Sequence, residues 1–180
     1  MKLKVLWLLS LPVLLTAFTQ KVYTQEYAVV NLREVYEQLP DYQSAQTQLK
    51  QYAAQWQKEI DDQQARFDNL AHQYEADLPL LTDSLKKQRE QALHNAEQRI
   101  RELQRRRFGP DGDFNNKKKE LLQPVTDRVQ EVIETMARAR NYRFVLDKSE
   151  GITVMFNSPE LDKTDDVLQQ LGIKKASPAK

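Results

Sequence analysis

The sequence predicts a mostly helical protein, with a long antiparallel helical hairpin projecting from a small β-containing base through which copies assemble. Three observations lead there. Glycine occurs only four times in 180 residues, roughly 2% against a usual ~7%, which excludes a glycine-rich nucleotide-binding α/β domain. Leu, Ile, Val and Phe make up 35 of the 156 residues after position 24, about 22%. That is too little apolar surface to fill a compact globule of this length, while the balanced charge argues against disorder. The apolar residues that are present recur at intervals of three and four through the middle of the chain. With 27 basic, 26 acidic and no cysteine residues, stability must come from packing and assembly, not from disulfides.

At the start, Lys2 and Lys4 precede an apolar run from Val5 to Phe18, broken only by Ser10, Pro12 and Thr16. Such a run is shorter than the ~20 residues a membrane-crossing helix needs. A basic start, a short apolar block and a polar continuation form the layout of a secretory signal peptide, residues 1–24. Cleavage is expected between about 19 and 25, after Ala17-x-Thr19 or Val22-x-Thr24; the competing reading is a buried N-terminal helix. No cysteine follows the block, so a lipid-anchored form is not expected. Loss of Lys2, Lys4 and Lys21 leaves 24 basic and 26 acidic groups, net −2.

Tyr27-Ala-Val-Val-Asn31 reads as a brief strand buried on both faces. Asn31 suits the N-cap of a short helix, Leu32 to Leu39, which Pro40-Asp41 ends, with Asp41 free to cap the next helix. From Asp41 a seam of Leu49, Tyr52, Trp56, Ile60, Phe67, Leu70, Tyr74 and Leu78 steps by 3, 4, 4, 7, 3, 4 and 4, a coiled-coil-like stripe with a polar residue near Gln63/Gln64. Leu78-Pro79-Leu80-Leu81-Thr82-Asp83 interrupts it, and Thr82 is a plausible N-cap. The stripe resumes as Leu85, Ala92, Ala96, Ile100 and Leu103. A second break, Phe108-Gly-Pro-Asp-Gly112, carries strong turn chemistry. Placing the tip at residues 78–83 gives limbs of 37 and about 58 residues; placing it at Gly109–Gly112 gives about 67 and 29. The first mismatch is smaller, so the tip is assigned there. Helix restarts near Asp113 and runs to about Asn141, with Pro124 expected to kink it or mark its first turn.

Arg143–Asp147 and Ile152–Phe156 read as strands about a loop at Lys148–Gly151. Ser158-Pro159 and Thr164-Asp165-Asp166 offer caps for a closing helix to Leu171, with Gly172 at its C′ position; the tail 174–180 is expected to be disordered. Residues 25–40 and 142–173 thus form the body and 41–141 the arm. Three short strands do not make an independently stable sheet, and their edges are most simply satisfied by pairing between copies. Val29, Val30, Phe144, Val145, Leu146, Val154 and Phe156 are the expected assembly residues, and Leu49, Tyr52, Trp56, Ile60, Phe67, Leu70, Ile100 and Leu103 the hairpin seam.

The chain lacks a nucleophile elbow and a phosphate loop, and no catalytic residue, cofactor or metal is expected. His72 and His94 lie on opposite limbs without a third ligand, and Asp147, Asp162, Asp165 and Asp166 lack the alternation of a calcium loop. The charge pattern says more. Asp41–Asp77 has net charge −4, and Lys86–Arg107 has +5, ending in Arg105-Arg-Arg107. Complementary limbs explain this most simply. The sharper alternative is a basic surface for acidic polypeptide, lipid phosphate or nucleic acid, the last disfavoured by export and by a mature chain that is not basic.

The Ala28-Val-Val-Asn31 strand, the Gln/Lys/Glu-rich hairpin, Tyr142-Arg-Phe-Val-Leu-Asp147 and Asp165-Asp166-Val-Leu-Gln-Gln-Leu171, all behind a signal peptide, resemble the Skp/OmpH family of periplasmic chaperones. Phe108-Gly-Pro-Asp-Gly112 followed by Lys117-Lys-Lys-Glu-Leu-Leu-Gln-Pro124 resembles its Bacteroidetes-type branch. The resemblance implies a homotrimer that holds unfolded outer-membrane proteins between its arms without ATP in the periplasm. It implies the outer-membrane surface as a further partner, and neither enzyme activity nor nucleic-acid binding. Phe108, Phe114, Arg105, Arg106 and Arg107 are the expected client contacts. The best-known members are strongly basic whereas this mature chain is near neutral, so no lipopolysaccharide site is carried over. The rival readings are an exported coiled-coil spacer without chaperone activity and a basic nucleic-acid binder.

Overall fold

The computed structural model describes residues 27–149 and 156–173. The leader, the 148–151 loop beyond Ser149, most of the expected strand 152–156 (including Val154) and the tail 174–180 lie outside the described residues. The elements run β1 (Tyr27–Val30), α1 (Leu32–Gln38), α2 (Pro40–Asp77), a 3-10 turn (Leu78–Leu80), α3 (Asp83–Phe108), α4 (Asp113–Ala139), β2 (Phe144–Asp147), a second 3-10 turn (Pro159–Leu161) and α5 (Thr164–Gln170).

Helix boundaries follow the local chemistry. Asn31 caps α1 by accepting from the Glu34 N–H at 3.2 Å. Asp41 does not cap α2: Pro40 occupies the first turn, where its missing N–H costs nothing, and Asp41 pairs across the arm with Arg128 at 3.1 Å. Thr82 caps α3 through the Leu85 N–H. Pro124 sits inside α4, which continues through it. At the end of α4 a non-glycine residue, Asn141, takes a left-handed φ of 56°, and the Tyr142 N–H closes on the Ala137 carbonyl at 2.9 Å. Gly172 takes the equivalent position after α5 with φ 84°. The N-cap of α5 is Lys163, neither of the predicted candidates; Asp162 supplies the cap by accepting from the Thr164 N–H at 3.0 Å.

β1 pairs with β2 in parallel, Tyr27 opposite Phe144 and Val30 opposite Asp147. A parallel pair needs a crossover connection, and here that crossover is the entire arm. On its other edge β1 bridges Asp162, with the Lys163 N–H donating to the Val29 carbonyl at 2.8 Å. At Val29, therefore, β1 is held on both sides within one chain. This narrows the expectation that its edges await another copy: at Val29 the segment after β2 takes up the second edge.

One face of this sheet carries the body core. Val30, Val35, Leu39, Val167, Leu168 and Leu171 pack there with Val125, Val129 and Met136 of α4. The body thus reaches into the 41–141 stretch read as arm, because the lower half of α4 lies over the base. At the carboxyl ends of the strands a polar knot ties the pieces together. Thr164 Oγ1, in a residue only 4% exposed, accepts from the Asn31 N–H at 2.9 Å and donates to Asp162 at 2.6 Å. Lys148 donates to the other Asp162 oxygen, and Asp147 accepts from the Leu32 N–H at 3.2 Å and from both donors of Ser149. Burial on its own would raise both carboxyls. The hydrogen bonds from Ser149 and Leu32 to Asp147, and from Lys148 and Thr164 to Asp162, outweigh it and hold both pKa values below the ordinary carboxylate value.

The knot can be tested by mutation and by pH. Thr164→Val removes one partner from each of two partly buried groups and should lower unfolding stability by about 1–2 kcal/mol in urea titration. Because both folded-state pKa values are depressed, the knot's contribution is complete above about pH 4 and lost as pH falls through the lower folded values. Thermal melts should show a loss of midpoint below pH 4 that is smaller in Asp162→Asn, whose side chain does not titrate.

Candidate functional site: an arm above a half-open sheet face

The arm reverses at Leu78–Thr82. α2 rises ~57 Å at 1.5 Å per residue, and α3 packs back along its upper half through Ile60, Ile100, Leu103 and Phe67. Tyr74 donates to Glu90 at 2.8 Å, which pushes the tyrosine pKa up, and Arg89 lies 3.9 Å from Asp77. Below the glycine break, α4 replaces α3 against α2. The long limb therefore meets two shorter ones in succession.

Most seam residues sit where their spacing places them. Leu49, Trp56, Ile60, Ile100 and Leu103 are buried, and Phe67 and Leu70 are half-buried. Tyr52 differs: it is 37% exposed on the flank, and Ala53 takes the inward position. On the return limb Leu85 and Ala92 face outward, and Lys86, Arg89 and Leu93 turn inward. Positions 92 and 93 both lie three or four residues from Ala96, so spacing along one helix cannot choose between them; the facing helix does. The glutamine surplus also finds its place. Gln57–Asp61, Gln64–Asp68, Gln91–Asn95 and Gln130–Glu134 bond at i,i+4 along exposed helix faces.

The glycine break is a closed elbow. A Cβ on Gly109 would lie 2.3 Å from the Arg105 carbonyl oxygen and one on Gly112 2.8 Å from that of Arg106, so only glycine fits this approach. Around the elbow Tyr52 stacks on Trp56 at 5.6 Å, Trp56 meets Phe108 edge-on at 6.4 Å, and Phe108 meets Phe114 at 5.9 Å. Arg107 lies over Trp56, and Lys117 over Tyr52. Arg107 also donates to Glu59 of α2 at 2.8 Å and to Asp113 of α4.

Of the residues read from sequence as client contacts, Phe114 and Arg107 are thus engaged inside the elbow, and Phe108 is shared between elbow and surface at 38% exposure. Phe108 and Phe114 come together because the turn returns the chain on itself, which single-helix periodicity does not reveal. Arg105 and Arg106 remain on the surface, line a groove of about 410 Å³ beside the glycine turn, and make no ion pair among the described residues. His72 and His94 are both exposed, and no group of metal-binding side chains exists among the described residues.

The outer face of the sheet is the second element. Tyr27, Val29, Phe144 and Leu146 share it, with Tyr27 stacked on Phe144 at 5.8 Å. Tyr27 is 43% and Phe144 53% exposed, and Val29, Leu146, Phe156 and Leu161 line a cavity of about 360 Å³ there. Val30 and Val145, read from sequence as assembly residues, are on the opposite face with the chain's own core; a period of two sends alternate residues to opposite sides. Tyr27, absent from the sequence-based set, belongs to the outer face because it pairs with Phe144.

Arg107 is the tie that spans α2 and α4 across the elbow. Arg107→Ala should lower the arm's unfolding stability by about 1 kcal/mol, as measured by denaturant titration, modest because the pairs are partly solvated. Arg107→Lys should recover only part of that, since one ammonium cannot fork to two carboxylates while stacking on Trp56.

Comparison with known proteins places this geometry. The family described as outer membrane protein (OmpH-like) matches residues 26–171. Among solved structures, the OmpH-like candidate outer membrane chaperone of Caulobacter crescentus CB15 superposes with a TM-score of 0.65 at 17% identity, over 81% of this chain and 83% of that one. At that identity the likeness speaks for the fold. No curated protein matches. A family match that spans strand, arm and closing helix alike shows that the chain belongs to the OmpH-like family.

Proposed function

We propose that this protein is an ATP-independent chaperone of the periplasm that assembles as a homotrimer and holds unfolded outer-membrane proteins between its arms. Membership of the OmpH-like family and the likeness to an OmpH-like chaperone fold support this reading. So does a basic, apolar start that suits export. The observation that carries it is the exposed, stacked pair Tyr27 and Phe144 on the outer side of the sheet, set at the foot of an arm whose seam is largely buried. An exposed apolar patch rimmed by polar residues marks an association surface, and a rotationally symmetric assembly through the base would leave the arms side by side.

Such arms offer many weak, sequence-tolerant contacts. Several of them around one chain give usable avidity through effective concentration, without fixing the client's conformation. Clients kept apart in this way cannot pair their exposed strand edges with each other. Hydrolysis of nucleotide has no part in it, and the protein is read as a non-enzyme.

Light scattering of the chain from residue 25 should give the mass of an oligomer, and Phe144→Asp, which places a charge on the outer face and not in the core, should yield monomers. The assembled protein should keep urea-denatured porin soluble at about one trimer per client without nucleotide. Replacing residues 58–106 by a short glycine-rich turn should leave the number of subunits unchanged and abolish porin holding. An oligomer that leaves porin aggregation unchanged would instead be the spacer protein.

A further inference from the structure

The two sides of the arm carry opposite signs. On α2, Asp61, Asp68 and Glu75 are exposed, and each directly follows an inward residue: Ile60, Phe67 and Tyr74. Arg66 of α2 and Arg99 and Arg106 of α3 are exposed too, and each directly precedes one: Phe67, Ile100 and Arg107. One residue turns a helix by about 100°, so residues after and before an inward position fall on opposite sides of the seam. Two antiparallel limbs are related by an approximate twofold perpendicular to their common plane, which keeps each side of the arm on its own side. The three arginines therefore share one side, and the three carboxylates the other.

Neither set is answered within the chain. None of the six makes an ion pair among the described residues. Gln57 and Gln64 donate to Asp61 and Asp68 but leave their charge in place. Between elbow and tip, Glu102 is the unanswered acid on the arginine side and Lys87 the unanswered base on the other, where Glu90 joins the acids, so each side keeps its sign. The ties Glu59–Arg107 at 2.8 Å and Asp77–Arg89 at 3.9 Å fix the register of the limbs. Arg66 and Arg99 thus stand at one height, between those of Asp61 and Asp68. The leucines at the tip divide in the same way. Leu85 precedes the inward Lys86 and is 44% exposed on the arginine side; Leu78 follows Asp77 and is 39% exposed on the carboxylate side. They flank the turn at one height, and neither joins a buried cluster.

One arm cannot bring its own two sides together, but a ring of arms can. Rotation about a shared axis turns one side of each arm toward the opposite side of the next, with no change of height. We infer that the occupant of each side is a second copy of this chain. The arms stand with one limb nearer the axis than the other, and the Arg66, Arg99 and Arg106 side of one closes on the Asp61, Asp68 and Glu75 side of its neighbour, with Leu85 against Leu78. This rests on the assembly read above. Each exposed pair is weak, yet arms tethered to one base meet at high effective concentration. The contact therefore closes an empty assembly and yields when a client enters or salt screens it.

The absence of cysteine makes the test direct. Ala71 follows the half-buried Leu70 on the carboxylate side, and Ala92 precedes the half-buried Leu93 on the arginine side at nearly the same height. In the chain from residue 25, Ala71→Cys/Ala92→Cys keeps every charge. Oxidised with diamide at low salt, it should give covalent dimers and trimers on a non-reducing gel. Either single variant should give none, because the contact joins unlike sides. Linking should be about tenfold slower in ~1 M NaCl and on addition of urea-denatured porin. Arg66→Glu/Arg99→Glu/Arg106→Glu in the double-cysteine chain should abolish it, and adding Asp61→Arg/Asp68→Arg/Glu75→Arg should restore it, which a merely misfolded arm would not do. Light scattering before oxidation separates the two readings. A monomer would overturn the assembly and this contact together. An oligomer whose double variant links no faster than the single ones, links equally in high salt, or links only at high protein concentration would overturn the contact alone.

Discussion

A four-residue strand laddered on one side and bridged at Val29 on the other is what the rest of the molecule depends on. β1 accepts β2 on one side and the Asp162 segment on the other, and in doing so brings together regions from opposite ends of the sequence. Neither pairing would persist on strand hydrogen bonds alone, since so small a sheet is marginal in water. The knot of Asn31, Asp147, Asp162 and Thr164 adds charge-assisted bonds at the strand ends, and α1, α4 and α5 seal the inner face. The arm needs that foundation. Its own stripe is narrow, and much of each limb's surface remains in water.

The base and the arm solve different problems with different chemistry. Inside the base, aliphatic side chains pack on one face while every buried side-chain polar atom among the described residues finds a partner. Along the arm, stability is distributed over short-range bonds between exposed glutamines and carboxylates, with a few ties between limbs. The elbow concentrates the arm's aromatic residues at the level where one return helix gives way to the next. That arrangement lets a long helix be accompanied by two shorter ones without a gap in its cover.

Much of this was legible in the sequence because it rests on local rules. Asn31 and Thr82 as caps, Gly172 beyond the last helix, and the step of three and four through Trp56 and Ile60 all depend on neighbours within a turn or two. The readings that failed depend on distant partners. Nothing near β1 reveals that Asp162 will lie beside it, so its edge looked open although Val29 is bridged there. Which face of a two-sided strand meets the core is set jointly by α1, α4 and α5, so Val30 and Val145 were read as assembly residues although they pack with the chain's own core. Tyr52 looked like a seam residue because four positions separate it from Trp56; Ala53, small enough to be overlooked, takes the inward place instead. Phe114 and Arg107 appeared free for the same reason: the elbow that engages them exists only once the chain has turned.

The parallel pairing of β1 with β2 has a consequence for the order in which the chain folds. Tyr27 meets Phe144 only after more than a hundred intervening residues have appeared, whereas the limbs of the arm find each other across one short turn. Contacts close in sequence form sooner than distant ones, so the arm zips first and the base closes last. The base stays open until its last strand and helix have joined it.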